Sequence, residues 1–322
     1  MPDNDAATAA ERVAAGGARS TFAPRDVLLL VALGGMWGCS FLFIKVAVPF
    51  ITPLWIVALR CVIGAAVLLV ALRVRRTPLP RGFVIWRDLT LLAALGNAIP
   101  WGLMAWATQF LPSGLVAVVN ALAPTSTMLI AMAFGLERPA VRRFLGLAIA
   151  LAGTALAVSG DLGAPGTALA AAAIVLATIS YGGGTVYAKQ KVSGTHSPLA
   201  IATGQVLAAA VLSIPVAAAT APLPALGAVP LEAVAAMLAL GVFGTALAFL
   251  TFYALIEGVG ATSAVMVTYL IPVVALLAGA VVLGEPLTLV VLVGTVLTIG
   301  GVWLAQRERI VTPVGQFQEA PR

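Results

Sequence analysis

A chain of 322 residues that is 61% hydrophobic and only 9% charged, with a mean hydropathy of +1.08, has too few polar side chains to cover a soluble globule. It reads as an integral membrane protein. The net charge of +6 becomes a matter of topology and not of nucleic-acid binding, because the basic residues gather on one side of the spans described next.

Residues 1–26 are polar and Ala/Gly-rich without a hydrophobic core of their own, which predicts a disordered cytoplasmic tail and not a cleaved signal peptide. Ten apolar stretches follow, at 27–48, 54–72, 88–110, 114–134, 141–159, 166–188, 198–219, 231–255, 262–283 and 287–306. Each has the roughly 20 residues that a helix needs to cross a hydrocarbon core of about 30 Å. Their length and lack of strict alternation point to helices and not to barrel strands. A second tail is expected over 307–322.

The first span places Trp37, Ser40, Phe41 and Lys45 at i, i+3, i+4 and i+8, on one helical face. Lys45 is one turn from the span end and can snorkel to the interface. Arg60 lies deeper in the second span, roughly 9 Å in at the helical rise, where facing lipid would cost about 2 to 3 kcal/mol on insertion scales. It should face protein or water. It either attracts an anionic group on a substrate or pairs structurally with a carbonyl or helix end. Cys39 and Cys61 lie inside spans and read as small packing residues.

Further along, polar and aromatic residues punctuate the spans: Asn97, Trp101 and Thr108 around Pro100, Asn120 and Thr127 around Pro124, and Tyr181, Thr185 and Lys189 in the sixth span. Thr245 and Tyr253 mark the eighth, and Thr268 and Tyr269 precede Pro272 in the ninth. Any one of these residues could be packing, an interfacial anchor or a Ser/Thr bonded to its own helix. Their recurrence at matching positions is the argument for a shared cavity, lined by the first, third, fourth, sixth, eighth and ninth spans.

That recurrence is an internal repeat. A shift of 148 puts Pro124 on Pro272, Leu129 on Leu277, Glu137 on Glu285, Gly146 on Gly294 and Gly153 on Gly301; a shift of 144 puts Gly38 on Gly182, Lys45 on Lys189, Trp37 on Tyr181 and Phe43 on Tyr187. The chain divides into repeats at 27–160 and 165–306. Sixteen of the eighteen Lys and Arg residues fall in the tails and alternate loops of one side, which predicts that both termini are cytoplasmic, in a plasma (inner) membrane. Five spans per half then turn the second repeat upside down.

The run Met36-Trp37-Gly38-Cys39-Ser40-Phe41 with Lys45, Arg60 in the next span, Pro124 and Pro272 ahead of Glu137 and Gly284-Glu285, and the Gly-rich fifth and tenth spans together resemble the EamA family of the drug/metabolite transporter superfamily. The resemblance covers roughly 27–306. It departs at Cys39, where Ser is common, and at Gly135-Leu136-Glu137, where Gly-Glu is contiguous. It implies an all-α membrane protein of ten helices in two inverted five-helix repeats, a central cavity, alternating access, and export of amino acids or other small metabolites.

No phosphate loop, HExxH, GxSxG or metal-ligand spacing occurs, and no Asp, Glu or His lies at mid-depth in a span. The reading is a secondary transporter of a small, carboxylate-bearing molecule, needing no cofactor or metal and having the lipid bilayer and the substrate as its partners. A broad-range exporter of hydrophobic compounds, or from another class an integral membrane enzyme or sensor, are the alternatives. Monomer and homodimer are both compatible with these features.

Overall fold

The computed structural model describes residues 23–307, apart from the side chains at 226, 257 and 261–263. Most of both expected tails, and the Glu257 side chain, lie outside that description. The described chain is helical: α1 (Pro24–Ala47), α2 (Pro53–Val74), α3 (Phe83–Ala107), α4 (Ser113–Ala133), α5 (Val141–Val158), α6 (Thr167–Val192), α7 (Pro198–Thr220), α8 (Leu231–Ile256), α9 (Val267–Leu283) and α10 (Leu289–Gln306). Nine are long and apolar enough to cross a membrane. The tenth, α9, is apolar but has 17 residues.

Local chemistry sets the ends. Proline opens α1, α2 and α7 in the first turn, where its missing N–H leaves no bond unmade. The Ser197 and Thr288 hydroxyls each accept from a backbone N–H three residues on, at 3.3 Å. Gly284, with φ 67°, ends α9 in the left-handed conformation that side chains resist.

The repeat governs the packing. Helix α1 packs on α8 and α9, and its counterpart α6 packs on α3 and α4; α2 pairs with α7, and α5 with α10. In the α5–α10 pair, Gly146 abuts Gly301 and Ala305, and Gly153 abuts Gly294 and Thr298. The numbering runs in opposite directions. Two helices related by the 148 shift are therefore antiparallel, which is the inversion the sequence predicts. A methyl on Gly153 would come within 2.5 Å of the Thr298 nitrogen, and one on Gly294 within 2.5 Å of the Ala157 nitrogen, so backbones touch where glycine stands.

Two departures from the repeat and the expected spans stand out. Pro124 and Pro272 are counterparts, yet they do not break their helices alike: α4 breaks at Ala121–Leu122, just ahead of Pro124, because proline offers no N–H to the Asn120 carbonyl. Pro272 instead sits inside continuous α9, and the break lies upstream. There α8 extends to Ala264 across Gly260, whose φ of 81° makes a sharp corner. Regular helix in the ninth span thus begins at Val267 and not near 262.

Candidate functional site

Helices α3 and α8 each widen by a π turn at the same place in the repeat, over Ala94–Ala98 and Val242–Leu247. Such turns free a carbonyl from the regular ladder and re-aim side chains, and they recur at functional sites. Here they carry Asn97 and Thr245. These two residues are counterparts in the 148 register, and both are fully buried.

Each π turn receives a long polar side chain from the opposite half. Arg60 of α2 is 3% exposed; its Nε donates to Thr245 Oγ1 at 3.2 Å and its Nη2 to the Gly244 carbonyl at 3.3 Å. Thr245 Oγ1 in turn donates to the Leu240 carbonyl, five residues back, at 3.1 Å. In the mirror position, Gln205 Nε2 of α7 donates to Asn97 Oδ1 at 2.6 Å. The Asn97 Nδ2 is buried without a partner among the described residues. The two contacts are alike in architecture and unlike in charge.

Around Arg60 the aromatic residues close in. Its guanidinium carbon lies 3.6 Å from the centroid of the Trp101 ring, a cation–π contact in a desolvated setting. Trp37 and Tyr181 pack against the cluster that holds Phe41 and Trp101. Ser40 is buried against Gly244, its hydroxyl donating to the Met36 carbonyl at 2.8 Å. Among the described residues no carboxylate pairs with Arg60; the two ion pairs present are Arg87–Asp88 and Arg143–Glu137, near span ends.

The other candidates lie apart from this cluster. Tyr253 joins Phe249, Phe252 and Trp37 in an aromatic group, with Trp37 and Phe252 centroids 5.4 Å apart. Tyr269 is directed away, its hydroxyl donating to Gln306 Oε1 of α10 at 2.6 Å. Asn120 is half-buried at the α4 break, its Oδ1 without a partner among the described residues. Thr185 is exposed and bonds the Tyr181 carbonyl of its own helix. Lys45 turns to the end of α3. Its ammonium donates to the carbonyls of Thr108 and Leu111 at 2.8 and 2.9 Å, acceptors that the end of α3 leaves outside the helical ladder. A recess of about 170 Å³ between the α4 start and the α9–α10 connection, bordered by Pro112, Asp161 and Glu285, is lined by none of the Arg60 cluster.

Gln205 was absent from the sequence expectations, as was the Ser126–Thr178 hydroxyl contact at 2.8 Å that ties α4 to α6. The signal for Gln205 was present: it stands one residue beyond Gly204, the counterpart of Arg60 in the 144 register.

Fold and site together define an inverted-repeat membrane protein with a polar, aromatic-walled layer buried between its halves. The EamA-like transporter family matches the chain over 25–159 and 168–306, and the chain belongs to that family. It is a membrane transporter and not an enzyme. It is 30% identical over 298 residues, covering 89% of this chain and 94% of the relative, to the "Uncharacterized inner membrane transporter YedA" of Escherichia coli K12. It is 28% identical over 297 residues, with 89% and 95% covered, to the "Probable terminal-alkyne amino-acid exporter" of Streptantibioticus cattleyicolor. A solved structure at 20% identity shares the fold with a TM-score of 0.64, over 87% of this chain and 96% of that one.

Proposed function

We propose that the protein exports a small metabolite bearing a carboxylate, in the manner of an amino acid, with Arg60 as the group that meets the anion. The observation that carries this reading is the buried guanidinium, stacked on Trp101 and hydrogen-bonded to neutral groups alone among the described residues. An unneutralised cation at such depth is costly, and an arriving carboxylate relieves that cost. Trp37, Phe41 and Tyr181 then supply apolar walls for the rest of the molecule. The relative named as an amino-acid exporter agrees with this substrate class. The basic loops and the relative named as an inner membrane protein support an inner-membrane location with cytoplasmic termini.

A second reading, a broad-range exporter of hydrophobic compounds, draws on the Trp37–Phe252–Tyr253–Phe249 group. An unbiased comparison of metabolites inside and outside cells that overproduce or lack the protein separates the two. Accumulation of carboxylates outside the overproducer supports the first reading; apolar compounds alone support the second. No reproducible difference in any class counts against both. Because no Asp, Glu or His lies at mid-depth in the sequence, flux in reconstituted vesicles should persist when the proton gradient is collapsed. Flux that stops on collapse would turn attention to Glu257 as a coupling group.

A further inference from the structure

The two ends of the molecule are built from twinned residues in unlike surroundings. At one end Glu285, just after α9, turns its carboxylate onto the start of α4. There Oε1 accepts from the Ser113 backbone N–H at 2.7 Å, and Oε2 from the Ser113 hydroxyl at 2.8 Å and the Gly114 N–H at 3.3 Å. Lys45 of α1 meanwhile donates to the last carbonyls of α3 and its loop. An acid at a helix start and a cation at a helix end each complement the local dipole. Together they clamp the α3–α4 corner to α1 and α9.

At the other end, among the described residues, the twins are not clamped to the mirrored corner. Glu137, the counterpart of Glu285, has a side chain 40% exposed and pairs with nearby Arg143 at 2.6 Å. Lys189, the counterpart of Lys45, is exposed. The mirrored corner joins α8 to α9 at Gly260, which stands where Pro112 stands in the first half. The residues one turn further in repeat the contrast: Phe41 is 6% exposed, whereas Thr185, on the α6 face that carries buried Ile174 and Thr178, is exposed. The Lys45 end is sealed and the Lys189 end is open.

We propose that Glu285 with Lys45, and Glu137 with Lys189, are two exchangeable gate latches: the first is closed on the α3–α4 corner in this structure, and the second closes on the α8–α9 corner when the first releases. Helix α4 is gripped at its start by Glu285 and leads at its end to Glu137, and α9 leads at its end to Glu285 while its own start is, among the described residues, left free for Glu137 in the other state. One tilt of this pair makes one latch and breaks the other. The inference goes beyond the proposed substrate, and its test needs none.

With Cys39 and Cys61 replaced by Ala, single cysteines are introduced as Phe41→Cys or Thr185→Cys and labelled with a membrane-impermeant maleimide in sealed vesicles of each orientation. The parent should label at 185 from one face and stay protected at 41. Adding Glu285→Gln should raise the labelling rate at 41, from the opposite face, about tenfold and lower it at 185, since a hydrogen-bonded charge holds one state over the other by that order. Adding Glu137→Gln to Glu285→Gln should return 41 toward the parental rate. Lys45→Met carries the same expectation as Glu285→Gln if the latter does not yield monodisperse protein. Labelling that rises at both positions, or that stays unchanged at 41 in both variants, overturns the latch.

Discussion

The α5–α10 pair and the buried layer at the π turns obey the same repeat, yet only the first keeps the same residues at its closest contacts. In α5–α10, glycine answers glycine at both close approaches. At the π turns, Asn97 answers Thr245 and a glutamine occupies the place of an arginine. Packing between two copies of one helix is satisfied by small residues on both sides, so nothing drives the copies apart. A site that must hold an asymmetric molecule has reason to differ, because a twofold arrangement offers the same group at both ends. Symmetry persists at the scaffold's close contacts, and under the proposed function it breaks where the substrate would be held.

The largest expected effect is a break on the symmetric side. Gly153→Leu drives a side chain into the α10 backbone, and overpacking of this kind costs about 1 to 3 kcal/mol and occasionally more. Folded yield and thermal stability in detergent should fall sharply, whatever the substrate. Gly294→Leu should match it, since the approach is mutual.

Next comes the asymmetric side, where function should fall before stability does. Trp101→Ala removes the ring beneath Arg60 and should reduce transport roughly tenfold, in line with about 1 to 2 kcal/mol for a desolvated cation–π contact. Folded yield should drop less than transport does. Trp37→Ala, which loses Phe252 as its neighbour and not the guanidinium, should weaken carboxylate transport less than Trp101→Ala. Equal loss of yield and transport in both variants would return these residues to simple packing.

Much of the scaffold was legible in the sequence for a physical reason: lipid leaves a chain few options, so apolar runs of the right length become helices and the repeat orders them. Arg60 and Trp101 were legible as well, since buried charge and mid-span tryptophan stand out against leucine and alanine. The π turns were not. A one-residue widening leaves hydropathy unchanged, and residues 94–98 read as ordinary helix. The partners of Lys45 were not legible, because only the fold brings the end of α3 within its reach. Gln205 was overlooked because one amide in an apolar span becomes informative only when Asn97 is beside it.

The smallest expected effect tests the scaffold's polar seam. Thr154→Val removes a single intramembrane hydroxyl contact to Thr298, and contacts of this kind contribute about 0.6 kcal/mol on average. A shift in thermal midpoint of a few degrees or less, with transport unchanged, is expected. A large loss of transport would mean that the α5–α10 seam belongs to the moving parts.

The most direct test of the account compares transport of a carboxylate with that of its neutral primary amide, in vesicles containing either the parent or the Arg60→Gln protein. The carboxylate is chosen from compounds that the metabolite comparison finds outside the overproducer. If the buried guanidinium meets the anion, Arg60→Gln should cut carboxylate flux tenfold or more while leaving amide flux within about twofold. Equal loss of both fluxes, with folded protein confirmed by gel filtration, would contradict it and leave Arg60 as a structural tie between α2 and α8.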